Sequence, residues 1–220
     1  MLEDGQSIDA TAQGVNLRQQ VKPGQDQRFY KGLIEVKNYK PVQAESLIEM
    51  LHGFKAPHDA IKLGDGSILV NELGSKSLIR ASGEHGKDRT VVIGDLEGPV
   101  GLAAGSGGAV YLTEAFAGQV SKVEANGEKT VVAKDLKGPE GIALAPDGKL
   151  IVAEVGAKRI VQIDPANGTV TEIAANLPIG LPAAPGGLPS NIPTGVGVGA
   201  TGVIYFSSDI ENAIYKVVKK

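Results

Sequence analysis

The stretch "GPEGIALAPDGKLIVAEVGAKRIVQIDPANGTVTEIAANLP", Gly138 to Pro178, alternates short apolar runs with tight-turn signals, and its reading decides the fold. It parses into four strands: Gly141 to Ala145, Leu150 to Glu154, Arg159 to Asp164 and Thr169 to Ala174. A PDG turn separates the first two and a PANG turn the last two, each supplying residues that reverse the chain without steric cost. Three further stretches share this register: "APHDAIKLGDGSILVNELGSKSLIRA" from Ala56, "GPVGLAAGSGGAVYLTEAFAGQVSKVE" from Gly98, and "IPTGVGVGATGVIYFSSDIENAIYKVV" from Ile192.

The leading prolines are Pro57, Pro99, Pro139 and Pro193, at intervals of 42, 40 and 54 residues. The long interval holds an insertion, "PIGLPAAPGGLPSN" (Pro178 to Asn191). Four strands in about 40 residues is the size of a β-propeller blade, whereas β-helical solenoids repeat over shorter periods. The expected class is therefore all-β: a β-propeller of four-stranded antiparallel blades, with about four repeats visible. Four blades fit a compact closed ring, part of a six- or seven-bladed ring, or an open assembly completed by a partner chain.

The last copy ends after its third strand. "GLIEVKNYKPVQAESLIEMLHGFKAP", from Gly32, resembles the third and fourth strands of a copy, so an outer strand near residues 43–52 would close the last blade and protect its edge. The competing reading is a short amphipathic helix, since Leu47, Met50 and Leu51 have helical spacing. Residues 1–28 form a polar segment without repeats, and residues 29–220 form one propeller domain with repeats starting near 57, 99, 139 and 193.

Composition agrees with this reading. Thirty glycines, twelve prolines and no tryptophan suit a turn-rich β protein, and 42% apolar with 21% charged residues suits a packed soluble domain. A formal charge of -3 with no basic cluster argues against a nucleic-acid partner. The absence of cysteine excludes thiol catalysis, and no apolar run approaches the roughly 18 residues a membrane helix needs. The start lacks the basic and apolar regions of a signal peptide, which leaves a mature secreted form open and the compartment unassigned.

These repeats resemble those of NHL-type propellers, a group that includes gluconolactonase/regucalcin-like hydrolases and streptogramin (virginiamycin B) lyases. The resemblance covers roughly residues 30–218. It implies that the start of each first strand and the end of each second strand meet at one rim of a central channel, which selects two sets of positions. One follows the proline: His58, Val100, Glu140 and Thr194, with Asp59 where the other copies carry Gly101, Gly141 and Gly195. The other closes the second strand: Glu72, Glu114, Glu154 and Asp209.

The resemblance implies a divalent cation, Ca2+ or Mg2+, with Glu140 as a ligand, and the carboxylates that close the second strands make Glu154 and Asp209 further candidate ligands. The resemblance further implies His58 as general acid or base oriented by Asp59, acting on a lactone or ester small molecule at the channel mouth. "PHDAI" itself resembles the lyases. Against the metal assignment stands the recurrence of the second-strand carboxylate in every copy, which suits a structural acceptor of backbone N–H bonds. Val100 and Thr194 are also poor ligands. The insertion reads as a lid over the channel, or else as a spacer or oligomer contact. The competing function is a non-catalytic propeller that binds a protein or carbohydrate partner.

Overall fold

The computed structural model describes residues 51, 53–83, 86–181 and 193–218. The chain divides into two compact units, residues 1–51 and 52–220, and the fold below is that of the second. The third- and fourth-strand matches expected in the stretch from Gly32, with the outer strand near 43–52, lie outside the described residues apart from Leu51 and the residues from 53 on, and so does most of the insertion.

Blade 1 contains β1 (Pro57–Lys62), β2 (Ile68–Glu72), β3 (Ser77–Ser82) and β4 (Asp88–Ile93). Blade 2 contains β5 (Pro99–Ala104), β6 (Val110–Glu114), β7 (Gln119–Val123) and β8 (Lys129–Ala133). Blade 3 contains β9 (Pro139–Leu144), β10 (Leu150–Glu154), β11 (Arg159–Ile163) and β12 (Val170–Ala174). Blade 4 has three strands: β13 (Val196–Val198), β14 (Ile204–Ser208) and β15 (Ala213–Lys216). Strands in each sheet lie in chain order and are antiparallel, as expected for a β-propeller.

The apolar core lies between blades. Leu69 and Leu78 of blade 1 pack with Leu102, Val110 and Leu112 of blade 2. Ala103 and Val120 of blade 2 pack with Val152 and Ile163 of blade 3, and Ile151 and Ile160 of blade 3 pack with Phe206 of blade 4. Period-two alternation sends successive residues of a second strand to opposite neighbours, so each blade needs both faces apolar. The innermost strands lie side by side as β1–β5–β9–β13.

Glycine sets the spacing of these inner strands. A Cβ on Gly101 would stand 2.5 Å from the Glu140 carbonyl oxygen, and one on Gly141 would clash still harder with that of Thr194. Gly101→Ala is expected to cost about 1–3 kcal/mol through overpacking. Gly197→Ala, which meets nothing within 4 Å, should change stability by less than about 0.5 kcal/mol. Urea midpoints of the two variants check this; equal midpoints would remove the spacing role of Gly101.

Candidate functional site at the channel rim

The first strands of blades 1 to 3 enter their sheets through a register shift, between Pro57 and Asp59 in blade 1 and between Pro99 and Leu102 in blade 2. Blade 3 repeats it opposite Val152 and Glu154. A bulge of this kind turns backbone groups out of their own sheet and re-aims the side chains beside them. Here the freed groups find partners in the next blade.

Asp59 makes the first such joint. Its Oδ1 accepts the Ala60 N–H at 2.8 Å, and its Oδ2 accepts the Leu102 N–H of blade 2 at 2.8 Å. Nearby, Asn71 Nδ2 donates to the Gly101 carbonyl at 3.2 Å. The second joint uses Thr113: the Gly101 N–H donates to its Oγ1 at 2.8 Å, and the hydroxyl donates to the Glu140 carbonyl of blade 3 at 2.6 Å. Ala153 occupies the same column in blade 3 and has no polar atom to offer. There the Glu140 carboxylate substitutes, with Oε2 accepting the Thr194 N–H of blade 4 at 2.6 Å while the Gly141 N–H donates to the Thr194 carbonyl at 3.0 Å.

The non-glycine at position 59 is thus a staple between blades. Both of its oxygens serve main-chain donors, and it does not hydrogen-bond to His58 as an orienting partner would. His58 is half-buried and makes no hydrogen bond or ion pair among the described residues. Glu140 differs from Asp59, because its Oε1 has no partner among the described residues and stays available to a ligand. Burial raises the Glu140 pKa and the Asp209 charge adds to that, with the Thr194 N–H acting in the opposite direction. Thr194 is fully buried, and its hydroxyl oxygen, like Asn71 Oδ1, has no hydrogen-bond partner among the described residues.

The second-strand carboxylates have structural partners. Glu72 Oε1 accepts the Lys55 N–H at 3.0 Å, Glu114 Oε2 the Glu97 N–H at 3.1 Å, and Glu154 Oε1 the Lys137 N–H at 2.8 Å. Each carboxylate ties down the main chain two residues before its own blade's proline. Their other contacts are local: Ser75 for Glu72, Gln119, Ser121 and Lys129 for Glu114, and Arg159 Nε at 2.7 Å for Glu154.

Blade 4 departs from the sequence register by one residue. Ser208 pairs with Ala213 as Glu154 pairs with Arg159, so Asp209 stands one position beyond the carboxylate column. Asp209 instead holds the head of the insertion, accepting the Gly180 N–H at 2.9 Å and the Leu181 N–H at 2.7 Å. Residues 182–191, the body of the expected lid, lie outside the described residues.

The expected cation ligands do not assemble. Glu154 and Asp209 each spend both oxygens on backbone or guanidinium donors, and among the described residues Glu140 alone of the three keeps an oxygen without a partner. Among the described residues no group of three or more His, Asp or Glu side chains could hold a metal ion. A carboxylate already saturated by N–H donors is a poor cation ligand, since binding would cost those hydrogen bonds. The residues do not fit the implied cation.

Comparison with protein-family models finds no match, and no curated protein matches the chain. Solved structures do match in fold. Virginiamycin B lyase from Staphylococcus aureus superposes with a TM-score of 0.59 at 20% identity, covering 75% of this chain and 53% of that one. A second structure of that enzyme, a catalytically inactive histidine-to-alanine variant with quinupristin, gives 0.55 at 19% identity, over 74% and 55%. A gluconolactonase from Xanthomonas campestris gives 0.57 at 18% identity, over 74% and 62%. The nidogen/laminin complex gives 0.57 at 20% identity, over 70% and 57%. The chain thus spans a little over half the length of these structures. What it shares with lyase, lactonase and nidogen/laminin structures alike is the β-propeller fold.

Proposed function

We propose that this propeller is a hydrolase acting on a lactone or ester small molecule bound at the channel mouth. The observation that carries the reading is Glu140. Its carboxyl is held by one oxygen, free at the other and biased by burial toward keeping its proton, on the ring position that His58 occupies in blade 1. Such a group can protonate a developing oxyanion or leaving oxygen.

His58, unengaged by other side chains, is the matching base. It takes a proton from the attacking water as the new C–O bond forms at the carbonyl carbon. Collapse of the tetrahedral intermediate breaks the original C–O bond, and the departing oxygen receives the Glu140 proton. Neither residue requires the implied cation in these steps.

Elimination is a second reading, favoured by "PHDAI" and by the lyase structures among the matches. In that case His58 removes a proton from carbon, the C–O bond breaks as a double bond forms, and Glu140 protonates the leaving oxygen. The test is a panel of γ- and δ-lactones and aryl esters, following acid release and ultraviolet absorbance together. Turnover with acid release and no new chromophore is expected for the wild type and lost in His58→Ala. If no substrate turns over, or His58→Ala matches the wild type, the hydrolase reading falls; a conjugated product would put elimination in its place.

A further inference from the structure

A cleft of about 330 Å³ opens between blades 1 and 2, a volume within the range of small-molecule sites. It lies at the opposite end of the strands from the rim: β1 starts at Pro57 on the rim and ends at Lys62 in the cleft wall, about 17 Å away at the usual rise of an extended chain. The two walls are unlike. Blade 1 contributes the charged side chains of Lys62, Asp65 and Arg80, whereas blade 2 contributes only alanine and glycine, at Ala104, Gly105, Gly108, Ala109 and Ala125.

The bare wall has its origin in the turn of blade 2. One hairpin bond recurs in each turn, from the N–H of Leu63, Gly105 or Ala145 to the carbonyl of Ser67, Ala109 or Lys149, so Ala109 stands where blade 3 has Lys149. The Lys149 ammonium pairs with Asp164, just beyond β11. In blade 2 the corresponding acid is Glu124, just beyond β7, which pairs with Lys122 at 2.5 Å instead. Gly107 likewise replaces the aspartate that blades 1 and 3 carry in mid-turn, Asp65 and Asp147. Blade 2 thus lacks both polar side chains that the turn of blade 3 carries.

The charged wall is built. Arg80 Nε donates to Ser67 Oγ at 3.0 Å and its Nη2 donates to Asp65 Oδ2, while Asp65 Oδ1 accepts the Ser67 N–H at 3.0 Å. Arg80 Nη1 has no partner among the described residues. Lys62 is exposed and makes no hydrogen bond or ion pair among the described residues. Two cations against one carboxylate leave this wall one positive charge in excess. Behind Arg80, Leu63, Leu69, Val110 and Val123 border an apolar recess of about 10 Å³, room for a water or a methyl group only. Glu124 also borders the recess, with its charge balanced by Lys122.

We propose that this cleft binds a small organic carboxylate. The carboxylate meets Lys62 and the unengaged edge of Arg80, and its carbon body lies on the alanine and glycine wall of blade 2. One negative charge matches the excess on blade 1, and hydrogen bonds from charged donors are the strong kind. Ser67 and Asp65 already orient Arg80, so little side-chain freedom is lost on binding. Inorganic phosphate fits less well, because it has no apolar part to lay on the bare wall and Asp65 opposes a second negative charge. The site shares no residue with His58 and Glu140 and requires none of the chemistry proposed for them.

An NMR titration of the amide resonances of the whole chain with benzoate tests this. The amides of Leu63, Gly64, Gly105 and Ala109 should shift and saturate with a dissociation constant of about 1 mM, as suits a ligand of this size. Lys62→Glu, at an exposed position, should weaken binding about 10-fold or more. Lys134→Glu makes the same change of charge on the exposed connection from β8 to β9 and should leave the affinity within about two-fold. Benzamide, of the same shape without the charge, and inorganic phosphate should each bind about 10-fold or more weakly than benzoate. Circular dichroism confirms that both variants fold. The proposal is overturned by a wild type whose cleft amides show no saturable shift, by a Lys62→Glu variant that binds benzoate like the wild type, by equal weakening in Lys134→Glu, or by benzamide or phosphate binding as tightly as benzoate.

Discussion

Glu114→Ala is expected to lower the unfolding free energy by about 3–5 kcal/mol, the usual cost of removing one partner from a buried ionic cluster. The buried Glu114 carboxylate receives Gln119 and Ser121 at 2.7 Å, the Glu97 N–H at 3.1 Å and Lys129 at 3.2 Å. Alanine would strand the Glu97 N–H and the Ser121 hydroxyl in the interior and release the loop that leads into β5. Burial acts to raise the Glu114 pKa, but these donors outweigh it and hold the carboxyl below its ordinary value of 4.5.

The sign of the pH dependence follows. A carboxylate with a depressed native pKa binds its proton more readily when unfolded, so its contribution is complete above about 4.5 and is lost as pH falls through the native pKa. Urea denaturation across acid pH should show a steep loss of stability in the wild type and a shallower one in Glu114→Ala. A change below about 1 kcal/mol at neutral pH would mean that the cluster behaves like an exposed pair.

Glu140→Gln should separate chemistry from architecture. The amide oxygen can still accept the Thr194 N–H, so the joint between blades 3 and 4 survives, while the transferable proton is gone. Turnover should fall about 10²–10⁴-fold, the range that general acid catalysis supplies. Stability should move the other way. The Glu140 pKa is raised by burial and by the Asp209 charge, so its folding contribution is fully present below the unfolded value and is lost as pH rises through the native pKa. Glutamine removes that loss together with a like-charge interaction, and thermal unfolding at neutral pH should be unchanged or slightly higher. A variant that keeps wild-type turnover, or one that loses activity and stability together, would reduce Glu140 to a staple.

The strand content was legible because period-two alternation and turn chemistry are local signals. The ends expected for the second strands of blades 1 to 3, at Glu72, Glu114 and Glu154, coincide with those observed. The structural role of Glu72, Glu114 and Glu154 was also legible, since a carboxylate kept at one position of three copies answers a need those copies share. Asp59 and Glu140 were harder. Their partners, Leu102 and Thr194, lie a whole blade further along the chain and become reachable only through a bulge that no local pattern announces. The column Asn71, Thr113, Ala153 and Ser207 escaped for the same reason, although the hydroxyls of Thr113 and Ser207, which receive the N–H groups of Gly101 and Gly195, were a usable sign. Asp209 misled by one position because Ser208 takes the carboxylate's place in the ladder.

The order of strands within each sheet, identical to their order along the chain, makes the molecule modular in a strict topological sense. No strand is borrowed across a joint between described blades, so lengthening a connection displaces nothing upstream. The insertion between blades 3 and 4 illustrates this: it stretches one repeat interval to 54 residues, yet β13 still lies beside β9. An array built this way can gain a loop, or a whole blade, by editing a single junction, which gives evolution a cheap place to change what the rim recognises while the remaining blades keep their registers.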